Sequence, residues 1–238
     1  MKRTDLVVLL DRSGSMQSRK DDHEGGLNSF IEDQRSLDGD VRFTLIQFDS
    51  ADPCEVCYDA TQLGDVKKVK LIPRGGTPLL DAVLRATAHV QAKVPADSNV
   101  LFMIITDGGE NQSREATGAT VRKRIEELEQ QGWKFLFLGA GIDAWSQSDT
   151  VGVVRTASAN VANHSAGIHN LYANVGSAAY KAREAGVRGM SLQGCDFAFS
   201  AEERDELVSE TKTSGGLLKS KAKYDAALKA AQSQPQQE

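Results

Sequence analysis

Four short apolar runs punctuate the chain: Leu6–Leu10, Val41–Phe48, Val100–Thr106 and Lys134–Leu138. Each is rich in Val, Ile, Leu or Phe, and each stops abruptly at Asp or Gly. Runs of this length without polar alternation mark strands buried on both faces. Between them, residues 78–94 set Leu79, Leu80, Val83, Leu84, Val90 and Val94 at helical spacing. Residues 119–131 do the same with Val121, Ile125 and Leu128 before a stop at Gly132. Strands alternating with helices predict an α/β fold: a doubly wound, mostly parallel central sheet with helices on both faces. Cys54–Tyr58 follows the turn-like Asp52-Pro53 and reads as one short antiparallel edge strand.

Beyond Gly139 the pattern thins. It predicts a sixth strand near Val153–Thr156 and a helix from about Ser165 to Ala185. Ser200-Ala-Glu-Glu203 is a capping-box sequence that starts another helix. The lysine-rich segment 217–231 has helical propensity, and the final SQPQQE has the composition of a disordered end. The organisation expected is a principal domain over residues 1–185 and a C-terminal extension over 186–238. No repeat of fixed period is present.

Composition narrows the function classes. A chain of 238 residues that is 40% hydrophobic can bury one sizeable core. A net charge of -5 argues against whole-surface attraction to a nucleic-acid backbone. The run Leu6–Leu10 is too short for a signal-peptide core, and no stretch is long enough to span a membrane. Three cysteines, an odd number, do not suggest a disulfide scaffold, so a cytoplasmic location is the expectation.

The chemistry concentrates where predicted strands end. Asp11-Arg12-Ser13-Gly14-Ser15 places a carboxylate and two hydroxyls at alternate positions of a glycine-containing turn. The fourth strand ends in Thr106-Asp107-Gly108, which brings a second carboxylate to the same edge. Arg74-Gly75-Gly76-Thr77-Pro78 offers a third hydroxyl, with Thr77 as expected N-cap and Pro78 in the first helical position. In a doubly wound sheet, ligands gather beyond the carboxyl ends of the strands where the strand order reverses. All five donors are oxygens, which suits a hard cation: Mg²⁺ first, with Mn²⁺ or Ca²⁺ as alternatives and zinc a poor fit.

Asp11, Ser13, Ser15, Thr77 and Asp107 resemble the metal-ion-dependent adhesion site (MIDAS) of von Willebrand factor A domains, with every position filled. The resemblance covers roughly residues 4–160. It implies the Rossmann-like fold of that family, with Ser13, Ser15 and Thr77 as direct or near-direct ligands and the two aspartates acting through water. It also implies that a carboxylate from a partner completes the metal shell. Gly109-Glu110-Asn111 and Phe137–Trp145 are similar to short bacterial and phage-encoded members. Residues 186–238 carry no recognisable family pattern.

The function expected is therefore a non-enzymatic, cation-dependent binding module for a protein partner presenting Asp or Glu. Arg12, Met16, Arg74 and Glu110 are the expected rim of its binding surface. One alternative is a metal-dependent phosphoesterase, for which Glu110 is the only candidate base. The other is an assembly protein that uses the metal at a contact between copies in a homo-oligomer. Further motifs favour structural roles. Cys54 and Cys57 would project to opposite faces of a strand. Gly139-Ala-Gly141 lacks the third glycine of a dinucleotide loop. The four histidines read as surface residues, with His23 in a solvated loop after the metal motif. Trp133 and Trp145 read as core or boundary aromatics.

Overall fold

The computed structural model describes residues 1–213. Six strands form one sheet: β1 (Thr4–Asp11), β2 (Val41–Phe48), β3 (Glu55–Gln62), β4 (Asn99–Thr106), β5 (Lys134–Ala140) and β6 (Ser158–Val161). Their order is β3-β2-β1-β4-β5-β6, and every pairing is parallel except that of β3 with β2. β1 and β4 are buried at every position, as strands between two helical layers must be. β3 alternates between half-buried and exposed residues, as expected of an edge.

Among the described residues six α-helices cover the sheet: α1 (Lys20–Arg35), α2 (Leu79–Lys93), α3 (Gly118–Gln130), α4 (Ala144–Val151), α5 (Ser165–Val187) and α6 (Ala201–Val208). α1 packs on α5 and α5 on α6, while α2, α3 and α4 pack in sequence against one another. The close approach of α1 and α5 depends on Gly26. A Cβ there would run into the buried ring of Tyr172. Leaving β1, the chain goes first to β2 and later to β4 on the other side. The switch point therefore lies between β1 and β4, and the loops after Asp11 and Thr106 open onto it.

Several expectations need correction. The sixth strand is Ser158–Val161, not Val153–Thr156. Val153 N–H bonds to Ser148 O in closing α4, and residues 155–157 form a 3₁₀ turn. Pro78, not Thr77, caps α2, whose first residue is Leu79. The expected solvated loop after the metal motif is instead a 3₁₀ turn, Gly14–Arg19, running into α1. His23 lies on the inner stripe of α1 with Leu27, Phe30, Ile31 and Gln34, and it is buried rather than on the surface.

Residues after α5 add to the same core. Leu192, Phe197, Phe199 and Leu207 are buried in it, and Ala162 N–H bonds to Leu207 O. The capping box of α6 is present in full, with Ser200 and Glu203 each accepting a backbone N–H of the other. The expectations for 217–231 and for SQPQQE lie outside the described residues. No helix among the described residues is long and apolar enough to cross a membrane.

Candidate metal centre

The parallel register sets the end of β1 beside the ends of β2 and β4, with Asp11 opposite Phe48 and Leu10 opposite Ile105. Asp11 Oδ1 accepts the backbone N–H of Ser13 at 2.6 Å, the local turn that an Asp two residues upstream favours. The next residues coil into the 3₁₀ turn, and Met16, fully buried, plugs that turn into the core. Ser13 and Ser15 are left side by side with hydroxyl oxygens 2.9 Å apart. Ser15 Oγ donates to Asp107 Oδ1 at 2.5 Å, and Thr106 Oγ1 donates to Asp11 Oδ2 at 2.6 Å. Two hydrogen bonds therefore join the first loop to the end of β4. Thr106 also accepts the N–H of Gly108 at 3.0 Å.

The third loop arrives through backbone contacts. Arg74 N–H donates to Arg12 O at 2.8 Å and Gly14 N–H to Gly75 O at 3.0 Å. Thr77 is buried, its N–H held by Asn111 Oδ1 and its carbonyl by Asn111 N–H. Its hydroxyl makes no hydrogen bond among the described residues. A Cβ added at Gly108 would stand 2.6 Å from Thr77 Oγ1 and 3.4 Å from both Asp11 Oδ2 and Ser15 Oγ. Three of the five expected ligands thus converge on the space that the glycine leaves open, and Ser13 and Asp107 are hydrogen-bonded to the third of them.

Both carboxylates of this cradle are desolvated. Burial pushes the Asp11 carboxyl up to about 6, against its hydrogen bonds from Thr106 and Ser13, and the charge of Asp107 adds to the rise. Burial likewise raises Asp107, against the hydrogen bond from Ser15. Two desolvated carboxylates with only hydroxyl and amide partners are costly to ionise, and a bound positive charge removes that cost. No group of three or more His, Cys, Asp or Glu that could hold a metal occurs among the described residues. The three hydroxyls and two carboxylates of the cradle are all oxygen donors, the set that suits a hard divalent ion.

The expected rim is only partly at the surface. Met16 is buried, and so is Arg12, whose guanidinium pairs with Asp49 at 2.6 Å and Glu55 at 2.5 Å. Neither lines the surface, because Met16 packs into the core and Arg12 is held by its two carboxylates. Arg74 keeps half of its side chain exposed while its Nε donates to Asp49 at 2.9 Å. Glu110 accepts the N–H groups of Leu80, Gln112 and Ser113 and the hydroxyl of Ser113. Its carboxylate holds the loop against the start of α2, where a negative charge is favoured.

Thr106, Asp49 and Asn111 were not singled out from the sequence. The signal for the first two is positional, since each stands at or just beyond the end of a predicted strand that borders the site. Asp49 is fully buried. Burial acts to raise its carboxyl, but Arg74, the Ala51 amide and Arg12 together hold it below the usual range.

The other motifs play structural parts. Cys54, Cys57 and Cys195 are free thiols. Gly139 has no room for a side chain because Ile142 and Ala144 pack against it. His23 shares a 3.2 Å hydrogen bond with the Tyr172 hydroxyl, and burial lowers its pKa to about 4. Trp133 is buried beside Phe102 and Phe135, whereas Trp145 stays partly exposed.

A family model described as the von Willebrand factor type A domain matches residues 5–180. No curated protein sequence matches the chain. Among solved structures, proximal thread matrix protein 1 from the mussel byssus, in a form with a zinc-occupied MIDAS motif, aligns with a TM-score of 0.59 at 14% identity. That alignment covers 76% of this chain and 46% of the mussel protein. The pilus adhesin SpaC from Lactobacillus rhamnosus GG, in its open conformation, aligns with a TM-score of 0.61 at 13% identity, over 77% of this chain and 30% of that one. Likeness at this identity concerns the fold, and this chain spans less than half the length of either protein.

Proposed function

The chain belongs to the von Willebrand factor type A domain family, and from that premise we propose that it is a cation-dependent binding module. Asp11, Ser13, Ser15, Thr77 and Asp107 would hold one divalent ion, and the loaded site would capture an acidic side chain of a protein partner. The observation that carries this reading is the convergence of hydroxyls and carboxylates on the space beside Gly108. Ser13, Ser15 and Thr77 offer neutral oxygens, and Asp11 and Asp107 supply two negative charges. When bound, the ion supplies a positive charge with a coordination position left open to an incoming carboxylate. Two carboxylates balance a divalent charge without exceeding it, so no net negative charge repels a third, which the open coordination position can accept.

Mg²⁺ is the first choice because its hard character matches an all-oxygen donor set. The zinc-occupied motif of the mussel protein adds Zn²⁺ to the ions worth comparing with Mg²⁺, Mn²⁺ and Ca²⁺. The phosphoesterase alternative loses support, because both oxygens of Glu110 are engaged by backbone N–H groups and Ser113. The other proteins aligned above, a thread matrix protein and a pilus adhesin, accord with a non-enzymatic role.

A random-peptide display library, bound in Mg²⁺ and released with EDTA, checks the proposal. The peptides recovered are expected to share an Asp or Glu, and Thr77→Ala protein is expected to recover none. Peptides without an acid, or binding that survives EDTA, would count against carboxylate capture. Sustained phosphatase turnover that disappears in Asp11→Ala would instead favour the hydrolase.

A further inference from the structure

Asp49 lies outside the five-residue cradle, yet two of the loops that build the cradle meet on one of its oxygens. Asp49 Oδ2 accepts Nε of Arg12, from the Asp11–Ser15 loop, at 2.6 Å. The same oxygen accepts Nε of Arg74, from the Thr77 loop, at 2.9 Å. The other oxygen, Oδ1, is held by the N–H groups of Ala51 at 2.6 Å and Asp52 at 3.1 Å, so the carboxylate cannot turn away. The neighbouring Ser50 completes the junction: its N–H donates to Gly76 O at 3.0 Å, and its hydroxyl accepts Gly76 N–H at 2.9 Å.

We propose that Asp49 is a positioning residue of the metal centre, fixing the Thr77 loop in register with the Ser13–Ser15 loop through the shared oxygen. This inference rests on the cation reading above. Neither oxygen of the carboxylate bonds to a cradle residue. Asp49 acts by supplying a single acceptor for two guanidinium donors whose backbones are themselves joined, Arg74 N–H to Arg12 O. Asparagine there can keep Oδ1 for the Ala51 and Asp52 amides, but then its Nδ2 confronts Arg12 and Arg74 donor to donor, which no rotation cures. It would also leave the buried Arg12 guanidinium with only Glu55 as counter-charge. Glu55 provides the internal comparison. It carries the same charge, and one of its oxygens pairs closely with Arg12 and at 3.8 Å with Arg74, but it is half exposed and accepts no hydrogen bond from Arg74 like the one Asp49 accepts.

The test is Mn²⁺ affinity, read by electron paramagnetic resonance on the full chain, for Asp49→Asn, Glu55→Gln, Thr77→Ala and the double variant Asp49→Asn/Thr77→Ala. Asp49→Asn is expected to weaken Mn²⁺ binding about tenfold or more, the scale of residues that orient metal ligands. Glu55→Gln should stay within about threefold of wild type. Because Asp49 acts through the placement of Thr77, the double variant should be no more than about threefold weaker than Thr77→Ala alone. Losses that multiply, or equal losses for Asp49→Asn and Glu55→Gln, would overturn the proposal.

A metal-free readout separates this inference from the cation reading. Hydrogen exchange of the Gly14 and Arg74 amides should speed up in Asp49→Asn while the strand amides of β1 and β4 do not change. If wild type bound no cation, the cation reading would fall and Asp49 would have no metal centre to position. Unchanged exchange at both amides would refute the clamp whatever the cation result.

Discussion

Gly108→Ala is expected to weaken Mg²⁺ and Mn²⁺ binding by roughly a hundredfold, the upper end for disturbing the surroundings of a metal site, while the protein stays folded. Gly108 is not among the glycines with positive φ, so its backbone suits alanine. What the position cannot accept is volume: the new methyl would stand 2.6 Å from Thr77 Oγ1 and 3.4 Å from oxygens of Asp11 and Ser15. Those are the atoms that need to face an ion, and the methyl would occupy the space they share. Calorimetric titration alongside thermal unfolding checks both halves. A metal-free melting temperature within a few degrees of wild type, with binding lost, is the expected pair. Wild-type affinity in Gly108→Ala would show that the ion does not sit where the oxygens converge.

The second large effect concerns stability. In the metal-free protein burial pushes the Asp11 carboxyl up to about 6, well above the ordinary aspartate range. The native state then holds that proton more tightly than the unfolded chain. The resulting stability is fully present below about pH 4 and is lost as pH rises through 6, on the order of 3 kcal/mol in all. At neutral pH the empty site is therefore a source of instability. Asp11→Asn removes it and should make metal-free protein more stable than wild type at about pH 7, by up to that amount, and no more stable at about pH 4. His23 acts in the opposite sense, since its lowered pKa costs stability as pH falls. Both proteins carry it, so it cancels in the difference. Urea unfolding of both metal-stripped proteins across this range gives the curve. With saturating Mg²⁺ the order should reverse, because only wild type gains from binding. A difference that did not vary with pH would contradict the account of Asp11.

The sheet was legible because its central strands are apolar on both faces. Val41–Phe48 was bounded to the residue, and Thr4–Asp11 and Lys134–Ala140 only extend the predicted runs. α1 was not legible. Lys20–Arg35 is mostly polar, contains Gly25-Gly26, and buries a histidine and a glutamine among its inward positions, so its apolar stripe is short. Gly26, which a propensity argument counts against a helix, is there to admit Tyr172. β6 was misplaced because Val153-Val154 is the more β-like sequence. Ser158–Val161 becomes a strand through pairing with β5, a tertiary cause that four residues do not announce.

At the candidate site, the five residues expected as donors stand at strand ends and in a loop that the sequence marks, and oxygens of three of them meet beside Gly108. The sequence does not mark their supports. That Thr106 would bond Asp11, or that Asp49 would gather Arg12 and Arg74, depends on the register of β1 with its neighbours. The sequence places Arg12 and Met16 beside the expected donors but does not show which way their side chains face. In the structure both are buried.

The most direct test of the central claim is calorimetric titration of the metal-stripped full chain with Mg²⁺ and Mn²⁺, beside the Ser13→Ala/Ser15→Ala double variant. The account expects wild type to bind one equivalent and the double variant none, with both unfolding cooperatively. Absence of binding by wild type, or equal binding by the two proteins, would contradict it.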